Sequence, residues 1–345
     1  MQNNKLRLPA EWEPQAFVQL TFPHKNTDWN YMLDEVSDCF VNIAAEIVKR
    51  ENLLVVCADI DCIKQHLKHL DQTKINYVQI ASNDTWARDH GGITVLKEGK
   101  PTVLDFTFNG WGMKFSSDLD NQITRNLFSK NIFAQHVQYK SRLKFVLEGG
   151  SIESNGNGII ITTSQCLLSA NRNNLSKKET ENKLKKYFGA EQVLWLNHGY
   201  LEGDDTDSHI DTLVRFCDEN TVAYVTCNDT TDKHYNELKK MEQELLHLPF
   251  TETGNINFVP LPMADAVYDD DGNRLPATYA NFLIINNAVL MPFYQSPKDK
   301  KAQNQLQKAF PDREIVGINC LPLIQQHGSL HCVTMQYPAA VLQHL

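Results

Sequence analysis

The chain has 345 residues, 42% hydrophobic and 22% charged, enough apolar material for a sizeable buried core. Its 33 Lys and Arg against 42 Asp and Glu leave a formal charge of −9, which argues against nucleic acid and favours a small cationic ligand. No apolar run approaches the ~18 residues of a membrane helix, and Met1–Arg7 lacks the apolar stretch of a signal peptide, so a soluble, cytoplasmic protein is expected.

In chain order, apolar spacing predicts a helix over Asp34–Arg50, then strands at Leu53–Cys57, Tyr77–Ile80 and Ile159–Thr162. A helix follows at Ser176–Phe188, where Ser176 and Glu179 make a capping box. Next come strands Val193–Leu196 and Thr221–Thr226, helix Asp232–Leu246, strand Phe282–Ile285, helix Pro297–Phe310 and strand Glu314–Ile318. Pro297 suits the first position of its helix. No linker composition or charge block breaks the series, so 1–345 is taken as one α/β domain. Eight scattered cysteines without a Cys-x-x-Cys pair fit a reducing compartment.

A loose period emerges. Hairpin 148–163, helix 176–188 and strand 193–196 are followed by hairpin 209–226, helix 232–246 and strand 256–261, then by hairpin 281–292, helix 298–310 and strand 314–318. Units of roughly 60 to 70 residues that cannot bury their own hairpins imply a closed or stacked repeat. A doubly wound sheet remains the alternative, although paired strands speak against parallel crossovers alone.

Chemistry-bearing residues follow expected apolar segments: the run Asn83–Gly92 with Trp86, Arg88 and Asp89; Glu148-Gly149-Gly150; Gly203–Asp211 with Asp204, Asp205, His209 and Asp211; and Gln325–Cys332. If the repeats surround an axis, these segments converge on one pocket. Two carboxylates, an imidazole and a thiol suit attack on a guanidinium carbon. The carboxylates accept its paired N–H bonds, the thiolate adds, and the imidazole protonates departing ammonia and then activates water. Carboxylates raise a nearby thiol's pKa, each unit disfavouring the thiolate by ~1.4 kcal/mol, so the set suits only a cationic substrate. No metal or cofactor is required.

Each feature also has an ordinary explanation. Cys332 alone reads as a buried core thiol, Asp89 beside Arg88 as an ion pair, Glu148-Gly149-Gly150 as a turn, and Trp86 and Trp111 as core aromatics. A metal-dependent hydrolase using Asp204, Asp205, His209 and Asp211, and a non-catalytic polyamine or arginine binder, are the competing functions.

Together the motifs resemble the agmatine deiminase and bacterial peptidylarginine deiminase family of the guanidine-modifying superfamily. They run from Pro9-Ala10-Glu11-Trp12-Glu13-Pro14 through Trp86–Asp89, Phe108–Gly112, Leu147–Ser151, Asn171-Arg172-Asn173, Asp204–Asp211 and Tyr279–Phe282 to Gly328–Cys332. The resemblance implies a five-bladed α/β propeller (pentein) of ββαβ repeats. It implies Cys332 as nucleophile, His209 as general acid/base, Asp89 and Asp211 as guanidinium carboxylates, and Glu148 supporting the histidine and a guanidinium nitrogen. Trp86 and Trp111 match aromatic positions near substrate, and the acidic run with Asp204 and Asp205 suits a distal amine. The implied reaction converts agmatine to N-carbamoylputrescine and ammonia through a covalent cysteine–thiouronium intermediate, a step toward putrescine.

The chain departs from the family's usual pattern where Asp204-Asp205-Thr206-Asp207-Ser208 precedes the His-x-Asp and where His327-Gly328-Ser329-Leu330 precedes His331-Cys332. Free arginine would need a basic partner for its carboxylate, for which Arg88 is the candidate, and peptidyl-arginine an open cleft. Homo-oligomer formation is left open.

Overall fold

The computed structural model describes residues 6–249 and 256–342. Its strands fall into separate sheets, which replaces the doubly wound alternative with a repeated unit. In the third unit along the chain, Ile152–Ser154 pairs antiparallel with Ile159–Thr163, helix Lys177–Phe188 crosses over, and Gln192–Leu196 returns parallel. The fourth repeats this with Val214–Phe216, Thr221–Thr226, helix Tyr235–Leu246 and Asn257–Pro262. The fifth uses Leu283–Ile285, Ala288–Phe293, helix Lys298–Ala309 and Glu314–Asn319. The three hairpins start a few residues later than expected, because each opening segment is given over to the site.

Two earlier units follow the same plan. Ile93–Lys97 and Lys100–Thr107 form a hairpin, and Gln138–Val146 returns parallel after helix Ile123–Ser129; Leu6–Arg7 adds an outer strand. The first unit is discontinuous. Gln15–Thr21 takes its antiparallel neighbour from Thr334–Pro338, then helix Leu33–Val48 leads to parallel Asn52–Cys57, and Ile60–Leu67 to Ile75–Gln79.

Local sequence explains these elements. Asn52–Cys57 is buried at every position after the first, as a parallel strand covered on both faces must be. Helix Leu33–Val48 buries Val36, Ser37, Cys39, Phe40, Ile43, Ala44, Ile47 and Val48 along one stripe and turns Asp34, Glu35, Asp38 and Asn42 to solvent. Ser176 and Glu179 form the expected reciprocal cap, and Gly189 ends that helix in the left-handed conformation. The helix expected from Pro297 begins at Lys298, with Pro297 as its cap residue. No helix among the described residues is long and apolar enough to cross a membrane.

The last strand of four units feeds a loop of the site: Ile75–Gln79 leads to Asp84–Asp89, Gln138–Val146 to Glu148, Gln192–Leu196 to Asp204–Asp211, and Glu314–Asn319 to Gly328–Cys332.

Candidate active site

Three of these loops line a cleft of about 440 Å³, and Glu148, His209 and Asp211, expected in the same pocket, are not among its lining residues. Cys332 and Asp89 open onto it beside the rings of Trp86, Trp111 and Phe115, and Asp28, Asp84 and Asp205 add carboxylates to its lining. Trp111 stands edge-on to Trp86, with ring centres 6.0 Å apart, so the rings form two sides of a slot.

Close backbone approaches set the geometry. Asp89 lies on the single turn Ala87–His90, whose Arg88 N–H donates to the carbonyl of Cys332 at 3.1 Å, tying carboxylate and thiol loops together. Trp111 adopts a left-handed φ of +53°, a strained state for an aromatic residue, and its indole Nε1 thereby donates to Asp89 Oδ2 at 3.0 Å. A Cβ at Gly150 would stand 2.6 Å from His209 Nδ1, 3.0 Å from Asp89 Oδ1 and 3.1 Å from Asp211 Oδ2, so glycine lets three site residues close on one point. Gly328 likewise lies against the Trp86 ring, where a Cβ would sit 2.0 Å from it.

The carboxylates differ in their company. Asp211 is fully buried, and although burial works against its charge, the 2.7 Å hydrogen bond from His331 Nδ1 and the nearby cations hold its carboxyl below the usual range. Nε2 of His331 faces Glu11 at 2.9 Å, and Arg215, wholly inside, bonds Glu11 at 2.8 Å and Glu153 at 3.0 Å. Glu148 accepts from Arg172 Nε at 2.7 Å; burial raises its pKa and Arg172 opposes the rise. Arg172 also reaches Asp207 at 2.8 Å. Asp89 has no cation hydrogen-bonded to it: burial, Asp211 and Glu148 push its carboxyl well up, and the Trp111 and Gly150 N–H groups and the charge of nearby Arg88 do not offset them. Asp84 is raised to about 7, by burial and to a lesser degree by Asp28.

His209 is 1% exposed, and burial lowers its pKa to about 4, so its 3.7 Å approach to Asp89 at neutral pH joins a neutral ring to the carboxyl. Both its ring nitrogens lack hydrogen-bond partners, as do Asp211 Oδ1 and Glu148 Oε2. Buried unpaired groups of this kind call for a water, an ion, a ligand or a catalytic role. The thiol of Cys332 is 3.4 Å from Asn281 Oδ1; burial, Asp211 and Asp89 all drive its pKa up.

Three expectations are revised. Asp204 does not line the cleft: Oδ1 accepts from the amide of Thr206 at 3.1 Å and Oδ2 from that of Ser208 at 2.6 Å, so it shapes the loop before His209. Arg88 points away, its Nε toward the carbonyl of His331 at 3.5 Å, and lines a separate cavity of about 670 Å³ with Glu11 and His331. Asp204, Asp205, His209 and Asp211 do not gather as a metal centre. Among the described residues the one group with that capacity is Glu148, Cys166 and His209. Sequence reading overlooked Asp28 and gave no role to Asp84, Arg172 or Asn281, although all three lie in its motifs; Asp84 had a signal, lying two residues before Trp86, whose indole donates to it at 3.0 Å.

The α/β units and the cleft they enclose define an enzyme of the pentein type. Dimethylarginine dimethylaminohydrolase from Pseudomonas aeruginosa shares that fold, at 8% identity and a TM-score of 0.51 over 94% of this chain and all of that one. Residues 7–338 match the Porphyromonas-type peptidyl-arginine deiminase family, and the chain belongs to it. A putative arginine deiminase from Porphyromonas gingivalis is 52% identical, with a TM-score of 0.93 over 98% of this chain and 100% of the other. A substrate-bound cysteine-to-serine variant of the C. jejuni agmatine deiminase is 37% identical, with a TM-score of 0.90 over 98% and 97%. The agmatine deiminase of P. aeruginosa is 30% identical across 96% of this chain and 95% of its own length.

Proposed function

We propose that this enzyme hydrolyses agmatine to N-carbamoylputrescine and ammonia, with its units set as the blades of a five-bladed propeller in one domain. The observation that carries the reading is the cleft itself: a thiol and an uncompensated Asp89 at one place, further acids around it, and no lysine or arginine among its lining residues. A substrate with a guanidinium at one end and an ammonium at the other matches that distribution. An α-carboxylate would meet Asp28, Asp84 and Asp205 instead of a cation, since Arg88 faces the other cavity.

The guanidinium sits between Asp89 and Asp211, and its charge offsets the carboxylates that keep the Cys332 thiol protonated. His209 accepts the thiol proton, and the thiolate adds to the guanidinium carbon. The imidazolium returns that proton to one nitrogen, ammonia leaves, and a thiouronium remains on Cys332. His209, neutral again, takes a proton from water as it adds to the same carbon. Collapse expels the thiolate, which His209 reprotonates, and the added hydroxyl gives its remaining proton to solvent, leaving a neutral urea. Glu148, oriented by Arg172, supports this end of the site through its free Oε2. Asp84, with Asp28 and Asp205, receives the distal ammonium. Eight free cysteines support a cytoplasmic setting, and putrescine formation is the proposed metabolic outcome.

A second reading, arginine within a peptide, has one observation in its favour. A broad basin of about 1170 Å³ adjoins the cleft and shares Trp86, Trp111 and Phe115 with it, leaving room for a longer ligand. Ammonia release measured in parallel on agmatine, free arginine and an arginine-containing peptide decides. Agmatine is expected to be fastest, and Cys332→Ser to release none. A faster peptide reaction transfers the chain to the second reading, and unimpaired turnover by Cys332→Ser removes the mechanism.

A further inference from the structure

Cys166 has no part in the reaction above, yet it lies beside the group that carries the protons. Its Sγ, a nitrogen of His209 and a carboxylate oxygen of Glu148 all lie within 4.8 Å of one another, and all three residues are buried. Two of these partners have unspent capacity: neither ring nitrogen of His209 has a hydrogen bond, nor does Glu148 Oε2. Glu148 is fully buried and His209 is 1% exposed. Cys166 sits in the short turn Ser164–Leu167, anchored where its amide donates to Thr163 Oγ1 at 3.3 Å.

We propose that Glu148, Cys166 and His209 form an inhibitory site for a soft divalent cation such as zinc, which shuts the enzyme down by occupying His209. Thiolate, imidazole and carboxylate are zinc's preferred ligands, and tetrahedral bonds of ~2.0–2.3 Å require the three donor atoms to close by roughly 1 Å. A water molecule fills the fourth position. Binding replaces the Cys166 proton, which passes to water, so one proton is released per ion and inhibition deepens as pH rises. Acids outnumber cations around the group: Asp89 approaches His209 to 3.7 Å, Asp211 and Asp204 face His209 and Cys166, and Asp207 is shared by the two nearby cations, Arg172 at 2.8 Å and Lys114 at 3.1 Å. Metal and turnover exclude each other because both use the same imidazole.

The inhibition rests on the deiminase reading, whereas the binding does not, and the experiment separates them. Cobalt(II), which reports thiolate ligation by a near-ultraviolet charge-transfer band, is titrated into Cys332→Ser, Cys166→Ala and Cys166→Ser. The band is expected in Cys332→Ser and absent from both Cys166 variants. In the second arm, ammonia release is followed against buffered zinc. The Cys166 variants should work normally without metal and need at least ~10- to 100-fold more zinc for half inhibition, no less than loss of a supporting ligand partner produces. A band lost in Cys332→Ser but kept in Cys166→Ala would place the metal on the nucleophile and overturn the proposal. So would unchanged zinc sensitivity in the Cys166 variants, or no band in any protein. A normal band without deiminase activity would instead remove the function and leave the site.

Discussion

Asp89 and Asp211 flank the same glycine, yet one belongs to a region of the protein that has neutralised itself and the other to a region that has not. Behind Asp211 lie His331, Glu11, Arg215 and Glu153, a chain of buried partners at 2.7 to 3.0 Å in which each acid meets a cation or an N–H donor. Around Asp89 are Asp84, Asp28 and the Cys332 thiol, with indole and amide donors but no arginine or lysine lining the cleft. The first arrangement holds its shape without help. The second is left short of positive charge, which is what the proposed cationic substrate would supply. The difference also explains why Asp211 is held low while Asp89, Asp84 and Cys332 are all pushed up.

The largest test breaks the neutralised region. Arg215→Met strands Glu11 and Glu153 inside the protein, and denaturant melting should register a loss of about 3–5 kcal/mol, as when one partner of a buried pair is removed. An unchanged midpoint would mean that this network does not hold the site. The next acts on the open region with the opposite balance. Asp89→Asn should lower ammonia release from agmatine on the order of 100-fold or more, as for a lost transition-state contact. It should not lower stability. A carboxyl whose folded pKa lies above its unfolded one favours the fold below the unfolded value and loses that contribution as pH rises through the folded one, so at neutral pH the amide is the better-tolerated group.

A smaller effect comes from Asp84. With its carboxyl at about 7, kcat/KM for agmatine should climb as pH passes upward through 7 and the acid ionises to meet the ammonium. Asp84→Asn should flatten that limb and raise KM by about 10-fold with kcat nearly unchanged, the pattern of lost uniform binding. A kcat effect of the same size would assign Asp84 to the chemistry instead. Smallest is Ser176→Ala, outside both regions, which should cost about 1 kcal/mol through the lost helix cap and leave ammonia release untouched.

The sequence disclosed the last three units because their strands are apolar and β-branched and their helices carry regular stripes. Helix Asp34–Arg50 and strands Leu53–Cys57 and Tyr77–Ile80 of the first unit were legible too, but that unit's opening strand and the whole second unit were hidden for physical reasons. Gln15–Thr21 is buried at all seven positions but carries glutamines. Gln15 donates to the Ile284 carbonyl at 2.8 Å and Gln19 accepts from the Tyr337 hydroxyl at 3.1 Å, partners more than two hundred residues away. Gln138–Val146 is largely exposed at a sheet edge and so has no apolar pattern to detect. The same limit governed the acids. Asp204 and Asp84 look alike in sequence, but a two-residue turn consumes the oxygens of one while folding brings the other to the cleft beside Trp86.

The pairing of Gln15–Thr21 with Thr334–Pro338 has a consequence for biosynthesis. During translation the emerging first strand lacks its antiparallel neighbour until nearly every other unit has left the ribosome, and the thiol arrives on the segment just ahead of that neighbour. A nascent chain therefore completes the pairing of its first strand, and places the Cys332 thiol, only at the end of synthesis.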